Sequence, residues 1–515
     1  MQRFRLLFLL LSFSIITQAQ LPPNAVAPED AAFKTVYANR SIPVVTGKLL
    51  NMPASAAKDL PIVYSVLTPF WQTQVKKMTV VQPDGSFRLQ LDYPLPYQQI
   101  WLEAGNIFYA GLYADKDLYL ELDFKKIKAA KEVNFNGDGV RYLGTDGPLN
   151  SYMNNYVLYR REDQLRIGDT ISGLIRLAQI SSKVILNEYN QLFDSLKIIE
   201  DSYIATNPSP YAWILQNERM SDYYGRICLL HWKKVMPDSL WQKVKQHKSY
   251  LISNDGTEYY NYMAIYIRFL QTNGMATNLP DKIIQLTDSL FPPAKADFVK
   301  LRLGMSTDVS DQKVALEHLL ISMHTDWCTA ILKKEYQATI NKIAEINKTL
   351  AEASGGKQNT AFGKSLLETS FGAKMYKVSG IKTVDLLAKL KQTFPGKAII
   401  IDRWATWCGP CLSEMPHSKK LQQESKGLPV VFVYLCTISG STESKWKSKV
   451  AELKQPGIHI LIDEALDTEV SDYFSFSGYP GYAFISKNGI YKPGALKRIS
   501  DIESKKELSA LINNN

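Results

Sequence analysis

The segment Trp407-Cys408-Gly409-Pro410-Cys411 constrains this chain more than any other. It stands between an apolar, β-branched run at 398–402 and a helical pattern at 411–426. It therefore reads as a turn from a buried strand into a helix. Two cysteines separated by two residues, the second in the first helical turn, make a dithiol that can close to a disulfide and reopen. Pro410 suits a helix start, where no N–H is needed.

A thiol attacks a disulfide only as its thiolate. With an ordinary pKa near 8.5, about 3% of a cysteine is ionised at neutral pH. A helix N-terminus presents unpaired N–H groups and the positive end of the peptide dipoles, which favour an anion. Lowering the pKa to about 7 raises the thiolate share to roughly half, for about 2 kcal/mol. Cys408 sits where that field is strongest and is assigned the attack. Cys411, three residues on and on the same helix face, is assigned the resolution of the mixed disulfide. The competing reading is half of a zinc site. Structural zinc takes four ligands, yet no second Cys-x-x-Cys exists and only His417 of the six histidines is near. No metal and no separate cofactor is expected; the redox group is the cysteine pair.

The run from Asp402-Arg403-Trp404-Ala405-Thr406 into the cysteine motif looks like the thioredoxin active-site strand and turn. Glu414-Met415-Pro416 follows, then a β-rich run at 429–436 and a polar helical stretch at 441–454 containing Trp446. Gly478-Tyr479-Pro480 precedes a strand at 482–486, and Ser500-Asp501-Ile502-Glu503 reads as a capping box. On these motifs residues 371–515 resemble thioredoxins, and more narrowly the TlpA/ResA-like extracytoplasmic thiol-disulfide reductases.

The resemblance implies further roles. Asp402, six residues before Cys408, matches the buried acid thought to take the proton of the resolving cysteine. Burial should raise its pKa, which suits proton transfer near neutrality. Glu414 matches a glutamate thought to tune the thiols; its other reading is a first-turn acid complementing the helix dipole. Pro480 matches a cis-proline beside the sulfurs that leaves a backbone edge free for substrate. Trp407 and Tyr479 are expected next to the substrate, and Trp404 in the core. Three positions depart from the pattern. Arg403 replaces an apolar residue and must snorkel or meet an acid, through a contact expected from another domain. Leu412 replaces a frequent basic residue. Gly481 replaces a frequent threonine, which should loosen substrate pairing.

Met1-Gln2-Arg3-Phe4-Arg5, an apolar run at 6–16 and Thr17-Gln18-Ala19 read as a secretory signal over 1–19. The run is too short for a stable membrane anchor, which needs about 20 residues. A soluble, periplasmic protein is expected. Five cysteines in 515 residues cannot staple a fold in an oxidising compartment. Cys436 reads as buried and inert, and the pairing of Cys228 with Cys328 is left open. The net charge of +10 is spread out, without a dense basic block, so nucleic acid is not an expected partner.

The fold class expected is multidomain α+β. An N-terminal antiparallel β-sandwich over 33–127 is built from short runs at 43–50, 62–67, 75–81, 87–93, 99–103 and 118–124. Its phrase Gln82-Pro83-Asp84-Gly85-Ser86-Phe87 resembles the β domain that precedes thioredoxin domains in exported Bacteroidetes-type proteins. A helical region follows over 147–353, with patterns at 151–161, 171–199, 211–235, 240–251, 259–271, 282–290, 314–324 and 328–352. It is rich in tyrosine, read either as core with wet phenol tips or as an aromatic binding groove. A linker at 354–370 and an α/β thioredoxin fold over 371–515 complete the chain.

The function expected is a periplasmic thiol-disulfide oxidoreductase acting mainly as a reductase on protein disulfides, recharged by an upstream membrane thiol donor. An oxidase or isomerase of the same fold is one alternative. An envelope binding module with a tethered redox domain is the other.

Overall fold

The computed structural model describes residues 37, 40–53, 61–70, 74–105, 107–130, 135–160, 182–231, 234–250, 252–272, 280–304, 306–355, 358–502 and 504–514. The expected signal at 1–19 and the start of the helix expected from 171 lie outside the described residues. The chain divides into two compact units: Met1–Leu303 with Ser322–Thr329, and Gly304–Ile321 with Ala330–Asn515.

The first unit opens with two four-stranded sheets. Strands β1 (Val44–Leu50), β2 (Ile62–Val66), β3 (Val75–Thr79), β4 (Ser86–Leu89), β5 (Gln98–Ala104), β6 (Phe108–Ala114), β7 (Asp117–Asp123) and β8 (Val140–Leu143) form them in the orders β4-β1-β7-β8 and β3-β2-β5-β6. Alternation aims Val45, Ile62, Ile100, Leu102, Leu112 and Leu120 into one shared apolar core. Gly85, at φ +85°, lies in the turn by which the chain passes from β3 in one sheet to β4 in the other, where a Cβ would stand 2.4 Å from the Leu49 carbonyl oxygen. Two corrections apply to the expected sandwich. β1 and β7 pair in parallel, a neighbour relation that five intervening strands make possible. Strands β6 and β8 were not anticipated; small residues dilute the alternation of Phe108-Tyr109-Ala110-Gly111-Leu112, and β8 has only four residues.

Helices α1 (Phe124–Ala129), α2 (Gly147–Tyr159), α3 (Ser182–Thr206), α4 (Ala212–Leu230), α5 (Asp238–Gln246), α6 (Asn254–Thr272), α7 (Pro280–Leu290) and α8 (Pro293–Leu303) follow. Tyr259 and Tyr260 are buried, and their hydroxyls donate to the carbonyls of Val244 (2.7 Å) and Ser249 (2.6 Å). Here the phenols are core. Helix α8 was not anticipated because its buried surface runs right round, so no apolar stripe marks it. Its Lys300 is fully buried and pairs with Asp288 (2.8 Å) and Asp297 (3.0 Å). Cys228 and Cys328 are buried free thiols, not a disulfide.

The second unit starts with most of α9 (Val309–Ser322) and α10 (Asp326–Ala351), helices that the sequence places in the central helical region. A two-stranded ribbon, β9 (Gln358–Thr360) with β10 (Gly363–Lys364), comes next. The main sheet contains β11 (Leu367–Glu368), β12 (Ala373–Val378), β13 (Ala398–Trp404), β14 (Val430–Thr437), β15 (Gly457–Ile462) and β16 (Gly481–Ile485), in the order β11-β12-β15-β14-β13-β16. The four central strands are parallel and the edges antiparallel. Helices α11 (Thr383–Thr393), α12 (Gly409–Glu424), α13 (Glu443–Leu453), α14 (Glu464–Phe474) and α15 (Lys505–Asn514) accompany it. This is a thioredoxin fold.

The stretch 354–370, expected as a linker, carries strands; Leu367 and Glu368 pair with Met375 and Lys374 of β12. Helices α9 and α10 hold to α13 by named contacts. Val309, Ile346 and Ala451 form an apolar cluster. Lys454 pairs with Glu345 (2.7 Å), Lys445 with Asp311 (2.5 Å), and Lys342 with Glu452.

Candidate active site

All seven residues of β13 are buried, so its alternation sorts side chains between two interior layers. Ile400 and Trp404 join the layer that contains both active-site cysteines, whereas Ile399 and Ile401 join the opposite one. Asp402 follows the first register and Arg403 the second.

The strand ends at Trp404 and a short turn leads to Cys408, the N-cap of α12. Cys408 Sγ accepts a bond from the Cys411 backbone N–H at 3.2 Å. The two cysteines are joined as a disulfide, with Cα atoms 5.3 Å apart. Cys408 is 4% exposed and Cys411 fully buried, so Cys408 is the more accessible residue of the pair. The helix dipole and the free N–H groups of the first turn face its sulfur. Pro416 lies within α12, where it withholds one backbone donor.

Asp402 is 2% exposed, and neither carboxylate oxygen has a hydrogen-bond partner among the described residues. Burial, and then the charge of Glu414, push its pKa well above the usual carboxylate range. Its register neighbours are Tyr434 on β14 and Tyr482 on β16. The Tyr482 hydroxyl likewise lacks a partner, and burial with the nearby Asp402 raises its pKa. Tyr434 is satisfied instead: it accepts from Gln422 (2.9 Å) and Gln455 (2.7 Å) and shares a 2.5 Å bond with Ser418.

Glu414 does more than complement the helix dipole. Its carboxylate accepts from the Ser500 backbone N–H and hydroxyl, both at 3.0 Å, and ties α12 to the 3-10 turn Ile499–Asp501. The expected capping box at Ser500 is thereby corrected: α15 starts at Lys505, and Ser504 Oγ accepts from Glu507 N–H.

The Tyr479–Pro480 peptide is cis, and β16 begins at the next residue. Tyr479 meets Trp407 edge to face, with ring centroids 5.4 Å apart. Trp407 is 48% exposed, and its indole N–H donates to the Ser439 carbonyl at 2.9 Å. Gly440, at φ +67°, allows this approach; a Cβ there would lie 2.7 Å from Trp407 Nε1. Trp404 is fully buried, as its side of the strand requires. Gly481 has a packing reason as well: a Cβ would stand 2.7 Å from the Phe476 ring.

Arg403 meets an acid of its own fold, Asp467 of α14, and not another domain. Nε and Nη2 donate to the two carboxylate oxygens at 2.7 and 2.9 Å. The same guanidinium donates to the Tyr479 hydroxyl (2.9 Å) and the Gly478 carbonyl (3.2 Å). Tyr479 also donates to Asp467. The proline loop is thus held from below by a buried ion pair. Asp467 is the site residue that sequence reasoning missed. The buried charge of Arg403 announced a partner, but α14 lies more than sixty residues on. Cys436 is buried at the end of β14 as a free thiol whose pKa burial raises. Among the described residues no group of three His, Cys, Asp or Glu side chains is placed to hold a metal ion.

Residues 378–496 match the Redoxin family model. The thioredoxin-like protein YneN of Bacillus subtilis is 27% identical over 21% of this chain and 62% of its own length. The thiol-disulfide oxidoreductase ResA of Oceanobacillus iheyensis is 28% identical over 18% of this chain and 46% of its own length. The chain thus spans about half to three fifths of these curated relatives. Among solved structures, a thioredoxin-family thiol:disulfide interchange protein from Chlorobium tepidum is 19% identical, with 32% of this chain and 94% of that one covered and a TM-score of 0.21.

Proposed function

We propose that this chain, TlpA/ResA-like in its C-terminal domain, is an exported thiol-disulfide oxidoreductase that works mainly as a protein-disulfide reductase in the periplasm. The observation that carries the reading is a Cys408–Cys411 disulfide at a helix mouth, its first cysteine the more accessible, with a carboxylate in the same layer that has no hydrogen-bond partner among the described residues.

The cycle starts from the dithiol. Cys408 thiolate attacks one sulfur of a substrate disulfide, forming a mixed disulfide and releasing the other substrate sulfur as a thiolate that takes up a proton. Cys411 then loses its proton to Asp402 and attacks Cys408 Sγ, which expels the second substrate sulfur as a thiolate; that thiolate takes up a proton and Asp402 gives its own back to solvent. Two electrons and two protons pass to the substrate, and the Cys408–Cys411 disulfide is left. Burial makes Asp402 a stronger base than a solvated aspartate, which suits it to this transfer. Pro480 and Gly481 present the backbone edge to the substrate, flanked by Trp407 and Tyr479. A membrane thiol donor restores the dithiol.

The 1–19 segment underlies the export part of the proposal. No helix among the described residues is long and apolar enough to cross a membrane. Reduction of insulin by dithiothreitol, followed by turbidity, tests the activity; a rate unchanged in Cys408→Ser would sink it. A measured reduction potential well above the glutathione couple would turn the reading towards an oxidase.

A further inference from the structure

The thiol chemistry leaves unused a cavity in the first unit. Its floor follows from strand alternation. Ile100 and Leu112 point into the sandwich core, so Trp101 of β5 and Tyr109 of β6 face outward. Residues of α2, α3, α4 and the start of α6 line the rest of a cavity of about 470 Å³, within the range of small-molecule sites. Gly111 has no side chain to intervene, and Trp101 ring carbons approach within 3.4 Å of where its Cβ would be. The indole stacks on Tyr109 at 5.5 Å and 20°, giving the cavity a flat aromatic face.

The walls hold charge of both signs. Arg219 pairs with Glu200 (2.7 Å) and Arg226 with Asp222 (2.6 Å), so these four answer one another. Three charged groups remain. Glu218 accepts from Tyr113 (3.1 Å) and Ser253 (2.7 Å) and has no cation within ion-pair distance among the described residues, although the charge of Arg160 reaches it. Asp255 has neither a hydrogen bond nor an ion pair there. Arg160 lies over the Tyr156 ring at 4.7 Å, and its Nε is buried with no acceptor among the described residues. Trp101 Nε1 is a second buried donor without an acceptor. Burial first, and then the charge of Asp222, raise both acids against the opposing pull of Arg160, Glu218 to about 7. A bare amine would answer the acids and leave the orphan donors unmet. A bare anion would add a negative charge beside two acids that already hold their protons tightly, and would bring them no cation.

We propose that this cavity binds a small zwitterion, an α-amino acid or a dipeptide, with its ammonium on Glu218 and Asp255, its carboxylate on Arg160, and its side chain on the Trp101–Tyr109 face. The ligand sets a cation against the two acids and an anion against Arg160, groups that have no ion-pair partner among the described residues. Its apolar group covers aromatic surface that water solvates poorly.

Calorimetric titration of the full chain tests this, using phenylalanine, leucine, tryptophan and the dipeptide Phe-Ala as probes. Saturable binding of at least one is expected. Phenethylamine and 3-phenylpropionate, each lacking one charge, should bind at least about tenfold more weakly than phenylalanine. A dipeptide tighter than the free amino acid assigns the site to peptide N-termini; the reverse assigns it to free amino acids. Arg160→Met should erase the preference for phenylalanine over phenethylamine. Glu218→Gln should erase the preference over 3-phenylpropionate. Insulin reduction should be unchanged in both. No saturable binding of any of the four probes at millimolar concentration overturns the proposal, as does binding of either truncated analogue to the wild-type chain as tightly as phenylalanine. That last comparison needs no variant to fold.

Discussion

Arg403 and Asp467 form a two-bonded ion pair, at 2.7 and 2.9 Å, on the face of β13 opposite Asp402. The two residues are 6% and 7% exposed. One strand thus carries a lone acid towards the sulfurs and a paired base towards the proline loop.

Removing one member of a buried pair strands the other. Arg403→Met should cost about 3–5 kcal/mol of stability by denaturant unfolding, while Arg403→Met with Asp467→Leu should recover most of it. Near-ultraviolet circular dichroism should change in the single variant, because Tyr479 and Trp407 lose their anchor. A single variant as stable as wild type would refute the assignment.

Asp402 binds its proton more tightly folded than unfolded, since burial raises its folded pKa. Its contribution is therefore fully present below the ordinary carboxylate range. It is lost as pH climbs towards the raised pKa, because ionising the buried acid favours unfolding. Stability against urea should fall over that interval, and Asp402→Asn should flatten the fall. The same variant should reduce insulin at least about tenfold more slowly, through slower resolution of the mixed disulfide.

The unequal exposure of the two cysteines predicts unequal variants. Cys411→Ala should accumulate disulfide-linked substrate, visible as bands that vanish on reduction. Cys408→Ser should accumulate none. Equal trapping by both would reverse the roles assigned here.

Gly481→Thr should destabilise by about 1–3 kcal/mol, because a Cβ there meets the Phe476 ring. Adding Phe476→Ala should relieve the clash in that variant. An unfolding midpoint unmoved by Gly481→Thr would show that the ring yields freely.

The cysteine pair, the strand before it, the helix after it and the separation of Trp404 from Trp407 were all legible because each rests on short-range pattern. Period-two alternation and helix-start chemistry act within a few residues. Strand β6, helix α8 and the parallel pairing of β1 with β7 were not legible. Small residues, burial on every side and a long connection erase the local period. Glu414 shows the same divide: its place in the first turn was readable, but its bonds to Ser500 bridge 86 positions.

By itself, then, the sequence determined where a cysteine pair stands at a helix mouth and which fold could present it, since that motif is written in five consecutive residues. Only the tertiary structure decided what surrounds it. The acid that answers Arg403, the missing partner of Asp402, the shift of α9 and α10 to the second unit and the charged cavity over Trp101 all depend on long-range contacts. Those contacts are selected by packing and desolvation, which no stretch of neighbouring residues encodes.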